Sequence, residues 1–271
     1  MEIDQFMLID SHAHLNFGEF KDSWQTVAKG CLEHDTWVIN VGAQYQTSQQ
    51  AIKIAESFSQ GIYAAVGLHP IHVFGSDFKP EEFSVEQYQR LIDSSKKVVA
   101  IGETGIDFFH SDHNFEKQKE VFSQQIKLAQ ENNLALIVHS RNSRDGSKNA
   151  YQAILEILKQ TRASRGVIHC FGGTKDEAQS FIKLGFFVGF TGIVTFKNAK
   201  ELQAVAARLP LEKILIETDS PYLAPEPFRS KSNQPQYVKY VAEKIAALKN
   251  ISYQTVTDTT SQNAIKLFGL A

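Results

Sequence analysis

The chain has 271 residues, of which 42% are hydrophobic and 21% are charged, and its formal net charge is −2. This composition is typical of a globular protein and excludes a disordered, collagen-like or disulfide-stabilised chain. The near-neutral charge also argues against nucleic-acid binding through a broadly basic surface. Cys31 and Cys170 are the only cysteines and do not have the spacing of metal ligands. Free thiols in a reducing compartment, the cytoplasm, are therefore expected.

The sequence shows neither an export signal nor a membrane segment. Asp10 and His12 occur before the apolar core of a signal peptide could form. The longest apolar run, LGFFVGFTGIVTF, contains Gly and Thr and is shorter than the roughly 20 residues that a transmembrane helix needs. We therefore predict a protein without a membrane segment.

Eight short runs rich in apolar and β-branched residues follow one another along the chain, which is the pattern of buried strands. In chain order they read FMLIDSHAHL, TWVINVGA, IYAAVGLHP, VVAIGETGID, ALIVHSR, GVIHCFGG, FFVGFTGIVTF and KILIETDSPYL. Between them, apolar residues recur at steps of three, four and seven, which predicts amphipathic helices. Examples of such helical faces are Phe115, Phe122, Ile126 and Ala129, then Ala150, Ala153, Ile154, Ile157 and Leu158, then Val238, Val241, Ala242 and Ile245.

This alternation predicts a parallel sheet covered by helices. Eight strand and helix units over this length favour a (β/α)₈ TIM barrel, with residues 1–271 forming a single domain. An open, doubly wound sheet is the alternative, but no glycine-rich phosphate-binding motif follows the first strand.

The carboxyl ends of the predicted strands, where such barrels place their chemistry, carry polar residues. Alternation along an extended chain puts Leu8, Asp10, His12 and His14 on one face. By the same rule the inward face pairs Ile101 with Glu103, Ile137 with His139, Val167 with His169, and Leu215 with Glu217 and Asp219. Buried imidazoles and carboxylates are costly unless they are paired or bind a metal. We therefore predict a metal centre whose ligands are His12, His14, Glu103, His139, His169 and Asp219.

Six ligands are too many for a closed tetrahedral site, so we expect two divalent ions that share Glu103 as a bridge. Two such ions, about 3.5–4 Å apart, lower the pKa of a bound water and stabilise both the attacking and the leaving oxygen. This chemistry is hydrolysis. Imidazole ligands favour zinc, manganese or iron, whereas Mg²⁺ prefers oxygen ligands, and the identity of the metal stays open.

The motifs LIDSHAHLN, GETGIDFF, HSR, HCFGG and ILIETDSPYLAPEPFR resemble those of the TatD family of metal-dependent hydrolases, which are deoxyribonucleases of the amidohydrolase superfamily. The resemblance extends from the first strand to NAIKLFGL at the C-terminus. It implies that Asp219 is the general base, and that Glu103 and Asp219 are the catalytic residues. The ligands that it implies are His12, His14, Glu103 and Asp219 for one ion, and Glu103, His139 and His169 for the other.

The activity implied by this resemblance is hydrolysis of DNA phosphodiester bonds, as a 3′→5′ exonuclease on single-stranded or damaged DNA with Mg²⁺ as the usual assay metal. His69, Arg141 and Arg229 lie in predicted loops at the mouth and are candidates for substrate binding. We expect the protein to act as a monomer.

Other residues near the strand ends have less specific roles. Asp10, Asp107 and Glu217 are expected to orient ligating imidazoles, and Cys170 is expected to face the helices. Aromatic side chains that flank the mouth could stack on bases; they are Phe108, Phe109 and Phe171.

Two alternatives remain open at this stage. The first is an amidohydrolase that cleaves a small amide, ester or lactone. Many relatives of that kind have a carboxylated lysine on strand four, where this chain has Glu103. The second is an inactive scaffold that binds nucleic acid or a protein. Because every predicted ligand position carries a residue that can bind metal, the sequence favours the enzyme.

Overall fold

The computed structural model describes residues 7–73, 79–110 and 114–270. Within them, eight parallel strands pair in the order β1-β2-β3-β4-β5-β6-β7-β8, which confirms the predicted barrel. The strands are β1 (Leu8–Ala13), β2 (Thr36–Val41), β3 (Ile62–Val66), β4 (Val98–Asp107), β5 (Ala135–Arg141), β6 (Gly166–Ile168), β7 (Phe187–Phe190) and β8 (Ile214–Ile216). The predicted single domain over residues 1–271 includes residues 1–6, 74–78, 111–113 and 271, which lie outside the described ranges.

Helices connect the strands and cover the outside of the barrel. In the described ranges they are α1 (Trp24–Glu33), α2 (Tyr45–Glu56), α3 (Val85–Ser94), α4 (Phe115–Glu131), α5 (Ala150–Thr161), α6 (Lys175–Lys183), α7 (Lys200–Arg208), α8 (Val238–Lys249) and α9 (Tyr253–Phe268). The local sequence explains several of their ends. At the start of α6, for example, Thr174 and Glu177 form a reciprocal capping box that uses backbone donors of the first turn. None of the helices in these ranges is long and apolar enough to cross a lipid bilayer.

The sheet closes where the first and last strands meet. Ala13 and Ser220 form a parallel bridge. The Asp219 N–H donates to the His12 carbonyl at 2.9 Å, and the His14 N–H donates to the Ser220 carbonyl at 2.8 Å. Backbone hydrogen bonds therefore hold His12, His14 and Asp219, three of the predicted metal ligands, next to one another independently of any side-chain contact.

The interior of the barrel has an apolar core of its own. Its strand residues include Ile39, Val41, Tyr63, Ala65 and Val99, and α9 with the two residues after it adds Ala264, Leu267, Phe268 and Leu270. Side chains of α9 also reach the beginnings of strands, because Asn263 donates to the Ile214 carbonyl at 2.9 Å. Helix α9 thus closes the amino end of the barrel and leaves the carboxyl end open.

In the second half of the barrel, the side chains that point into the interior are those that simple alternation predicts. Ile137, Val167 and Leu215 lie in the interior core, as predicted for the strands that lead to His139 and His169. Over these core residues β5 pairs with β6, and β7 with β8, in regular register.

Simple alternation is wrong for β1 and β4. Leu8 and Ile101 pack in the outer core with the helices, while Ile9 lies inside the barrel. The register of β1 against β2 shifts between Asp10 and Ala13, and that of β4 against β5 shifts between Ile101 and Thr104. An irregularity of this kind reverses the side-chain phase. As a result His12 and Glu103, which follow these strand residues, still reach the mouth.

Candidate metal centre

All six side chains predicted as metal ligands lie in one cluster at the carboxyl mouth of the barrel. Three of them are within strands, and the other three come one to three residues after a strand ends. Four are buried, whereas His139 and Asp219 are partly exposed. They are His12, His14, Glu103, His139, His169 and Asp219.

Glu103 lies at the centre of the cluster, and its two oxygens face different imidazoles. Oε2 is 3.4 Å from His12 Nε2 and 3.7 Å from His14 Nε2. Oε1 is 2.9 Å from His139 Nδ1 and 3.7 Å from His169 Nε2. This is the arrangement expected of a carboxylate that bridges two ions.

Asp219 is the more accessible of the two carboxylates. Its Oδ1 lies 3.3 Å from His14 Nε2 and 3.8 Å from His12 Nε2. The Asp219 side chain is 16% exposed, compared with 6% for Glu103. A backbone φ of 57° turns the chain sharply at Asp219, in the left-handed region that Asp tolerates better than most residues. Solvent can therefore reach the Asp219 carboxylate from the mouth.

The fit of the cluster to metal ions follows from the protonation of its imidazoles. His14 Nδ1 is 2.8 Å from the Val41 carbonyl, which can only accept, so Nδ1 carries the proton and Nε2 has a free lone pair. His12 Nε2 is only 3.1 Å from His14 Nε2, and both nitrogens face the Glu103 and Asp219 carboxylates. Two imidazole nitrogens and two carboxylates this close together repel one another unless protons or a cation lie among them. This donor set therefore fits divalent metal ions.

The Nδ1 atom of His12 has no hydrogen bond in the described residues that would compensate for its burial. The ring stacks on that of His169, with centroids 3.6 Å apart. Burying an unsatisfied imidazole nitrogen costs stability, which favours a role as ligand over a purely structural one.

His139 lies between two carboxylates. Its Nδ1 is 2.9 Å from Glu103 Oε1 and its Nε2 is 3.1 Å from Asp107 Oδ2. Burial alone lowers the pKa of His139, but the two carboxylates outweigh it and raise that pKa to about 9. Asp107 thus orients the imidazole, as expected from the sequence, and leaves Nδ1 facing the cluster.

Glu217 orients His169, also as expected. His169 Nδ1 lies 3.0 Å from Glu217 Oε1, which in addition accepts the Cys170 N–H at 2.6 Å. Burial lowers the pKa of His169, but the Glu217 carboxylate overcomes this and the pKa rises to about 10. Gly189 makes room for Glu217, because a Cβ at that position would lie 2.6 Å from Glu217 Oε2.

Asp10 has a different role from the one expected. Its Oδ1 accepts the Thr218 N–H at 2.8 Å and the His12 N–H at 3.2 Å. It therefore binds the backbone on both sides of the β1–β8 closure instead of orienting an imidazole.

His69, predicted as a substrate contact, lies against Glu103. Its Nδ1 accepts the Ile71 N–H at 3.1 Å, so in the neutral ring Nε2 carries the proton. This Nε2 is 3.3 Å from Glu103 Oε1, and burial lowers the pKa of His69 to about 4. His69 is therefore a neutral donor that holds the Glu103 carboxylate, and its contact with substrate stays a prediction.

Cys170 was expected to face the helices, and this is wrong. Cys170 Sγ, a His169 ring nitrogen and an Asp219 oxygen all lie within 4.8 Å of one another. Cys170 has a φ of 46°, which turns the chain just after β6 and brings the side chain to the mouth. Nothing in the sequence marks this left-handed residue, so the strand pattern alone could not have found it.

Three further sets in the described residues could hold a cation, namely His12, His14 and Asp219, then His12, His169 and Glu217, then His69, Glu103 and His139.

The aromatic residues around the mouth differ from expectation. Phe108 and Phe171 are only 6% and 2% exposed and belong to the core, so they are not available to stack on bases. Two other aromatic side chains that the sequence did not single out are better placed. Phe17 stacks on the His14 ring with centroids 4.1 Å apart, and Tyr222, which contacts Phe17, is 46% exposed.

The two arginines predicted to bind substrate lie in different surroundings. The Arg229 guanidinium packs 4.2 Å from the Phe196 ring centroid and forms an ion pair of 4.0 Å with Glu226. Arg141, the last residue of β5, packs 4.0 Å from the centroid of the partly buried Phe109. Binding of substrate by either arginine remains a prediction.

Comparison with known proteins places this site in a family. The sequence model of the family described as TatD related DNase matches residues 9–269. YabD of Bacillus subtilis strain 168, named as an uncharacterized metal-dependent hydrolase, is 38% identical over 265 residues, which are 97% of this chain and 99% of YabD. YcfH of Escherichia coli strain K12, with the same description, is 33% identical over 96% of this chain and 95% of YcfH.

Solved structures agree with the sequence comparison. The crystal structure of YjjV, a TatD homologue from Escherichia coli K12, has a TM-score of 0.86 and 29% identity, and the match covers 97% of this chain and 98% of YjjV. Together with the sequence matches, this likeness extends over nearly the whole chain. The protein belongs to the TatD family of metal-dependent hydrolases.

Proposed function

We propose that this hydrolase is a deoxyribonuclease that removes nucleotides from the 3′ end of single-stranded DNA at a dinuclear metal centre. The observation that carries the proposal is the position of Glu103, whose two oxygens face two separate groups of imidazoles. The description of the matching family as a DNase supports the choice of substrate.

The donor set divides between two cations. We assign His12, His14 and Asp219 with Glu103 Oε2 to the first, and His139 and His169 with Glu103 Oε1 to the second. When bound, Mg²⁺, Mn²⁺ or Zn²⁺ ions would neutralise phosphoryl oxygens and lower the pKa of the attacking water.

The chain's own residues then perform three tasks. Asp219, the carboxylate that solvent reaches, accepts the proton of the attacking water. The Nε2–H group of His69 holds Glu103 in its position between the two groups of imidazoles. Asp107 accepts from Nε2 of His139 and Glu217 from Nδ1 of His169, so that the nitrogen facing the cluster is the one that would give up its proton and hold a cation.

The test is hydrolysis of a 5′-labelled single-stranded oligonucleotide by protein stripped of metal, with Mg²⁺, Mn²⁺ or Zn²⁺ added back. We expect a ladder of progressively shorter products that depends on metal and is lost in Glu103→Gln and Asp219→Asn. Asp258→Asn is the matched control, because it also removes one carboxylate charge but lies exposed on α9, at the closed end of the barrel.

The opposite result would be an intact oligonucleotide with every metal. If the same protein cleaved a carboxylic ester or lactone in a reaction that needs Glu103, the deoxyribonuclease would be excluded and a small-molecule amidohydrolase activity supported.

A further inference from the structure

Beside the metal centre, two arginines pack on a single aromatic ring. The guanidinium carbons of Arg141 and Arg144 lie 4.0 Å and 4.3 Å from the Phe109 ring centroid. Since both distances are measured to the same point, the two cations are no more than about 8 Å apart. We call Arg141 and Arg144 the arginine pair.

The arginine pair is firmly connected to the cluster. Arg141 follows His139 by two residues at the end of β5. The Phe109 N–H donates to Asp107 Oδ1 at 2.8 Å, and the other oxygen of Asp107 holds His139. The ring under the arginine pair and a predicted metal ligand are therefore positioned by the same carboxylate.

Within the described residues, no carboxylate forms an ion pair with the arginine pair. Both Arg141 and Arg144 are exposed. The described carboxylates close to them in sequence have other contacts: Asp107 binds His139 and His110, and Asp145 accepts from Ser143 and Ser147. Packing on a ring uses the face of a guanidinium group and leaves its in-plane N–H donors available for an oxyanion.

We propose, on the basis of the function proposed above, that the arginine pair binds the backbone phosphates of single-stranded DNA next to the phosphate that is cleaved. Guanidinium groups suit phosphate because their planar donors match its oxygens in paired hydrogen bonds. Phe109 holds the two groups in place by stacking and is covered by them, so it is a positioning residue and not a platform for a base. The substrate of the enzyme is then an oligonucleotide with several phosphates on the β5 side of the mouth.

This assignment separates the arginine pair from Arg229. Arg229 lies after β8, on a different part of the rim, and already has Glu226 as a partner. An arginine whose charge is balanced within the protein gains less from an added phosphate. The structure therefore predicts that the arginine pair, and not Arg229, governs affinity for a longer strand.

Binding of a labelled dT hexamer in EDTA, measured by fluorescence anisotropy over a range of salt concentrations, tests the site without cleavage. Arg141→Gln and Arg144→Gln should each weaken binding about 3- to 10-fold and lower the slope of log K against log salt by about 0.7. Phe109→Leu should weaken binding but keep the slope, because both charges remain. Arg162→Gln, an equal loss of charge in the loop after α5 at the other end of the barrel, should bind like the wild type.

Kinetics with added metal provide a second measurement. The ratio of kcat/KM for the dT hexamer to kcat/KM for a dT dinucleotide, which has one phosphate, should fall about 3- to 10-fold in Arg144→Gln. The phosphate site would be overturned if Arg141→Gln and Arg144→Gln had the same salt slope and the same hexamer-to-dinucleotide ratio of kcat/KM as Arg162→Gln. A wild-type protein that cleaves neither substrate would overturn the proposed deoxyribonuclease, whereas an arginine-dependent salt slope in the binding measurement would still support the phosphate site.

Discussion

The two ends of the barrel are built by the same eight strands but hold opposite kinds of side chains. At the amino end, Leu267 and Phe268 of α9 pack on the apolar interior. At the carboxyl end, the interior changes to imidazoles and carboxylates, most of which are also buried. Burial of apolar groups stabilises the fold, whereas burial of polar groups costs free energy. We infer that apolar packing at the closed end offsets the free-energy cost of burying the polar groups that the open end needs for chemistry.

The largest effect that would test this contrast is loss of activity from a substitution at the open end. Glu103→Gln removes the charge that faces both groups of imidazoles, and we expect hydrolysis to fall by about 10³-fold or more. Steady-state rates measured alongside the Asp258→Asn control test this. Near wild-type rates in Glu103→Gln would break the assignment of function to the open end.

The matching change at the closed end is Phe268→Ala. Phe268 is 4% exposed in the interior core, so its truncation should lower the free energy of unfolding by about 3–5 kcal/mol. Urea denaturation measures this loss. The rate per folded molecule should stay at the wild-type value, and a loss of activity without a loss of stability would contradict the division between the two ends.

Removal of the metal ions from the open end should lower the stability of the whole fold, which includes the closed end. A ligand present at about 100 times its Kd stabilises the native state by about 2.7 kcal/mol. Chelation should therefore lower the Tm of the wild type, and Phe268→Ala should show the same drop from a lower starting value. In Glu103→Gln, thermal unfolding with and without metal should differ much less, since the carboxylate at the centre of the cluster is lost.

A smaller change at the open end is Gly189→Ala. The new Cβ would collide with Glu217 Oε2 and displace the carboxylate that orients His169. Loss of such a partner costs about 10- to 100-fold in metal affinity or activity. Gly30→Ala in α1, where the closest atom to an added Cβ is 4.0 Å away, serves as the control. Equal activity in the two variants would show that Glu217 does not position His169.

The smallest effect is expected at the closed end, from Arg165. Its Nε and Nη2 donate to the Leu267 carbonyl at 3.0 Å and 2.6 Å and hold the end of α9. Arg165→Gln should lower the free energy of unfolding by about 1 kcal/mol, because the carbonyl loses its donors but is exposed enough to bind water instead. Arg162→Gln, a nearby exposed arginine at the same end, should change it by no more than about 0.5 kcal/mol. Equal values in urea denaturation would exclude this contact as a source of stability.

The sequence by itself determined the class of fold and the kind of site. Apolar runs and helical periodicity are local properties, so the eight units can be recognised without any knowledge of their pairing. The residue types at the strand ends, such as the histidines of LIDSHAHLN, indicate metal chemistry because few other environments accept buried imidazoles and carboxylates together.

Only the tertiary structure decided how the strands and side chains meet. The register shifts that bring His12 and Glu103 to the mouth depend on neighbouring strands, and alternation within one strand does not contain them. The same holds for His69, whose Nε2 lies against Glu103, and for Cys170, whose thiol comes close to Asp219. Whether a described carboxylate pairs with Arg144 likewise depends on which ones lie near it in space. Such contacts join residues that are distant in the chain, and local sequence patterns carry no information about them.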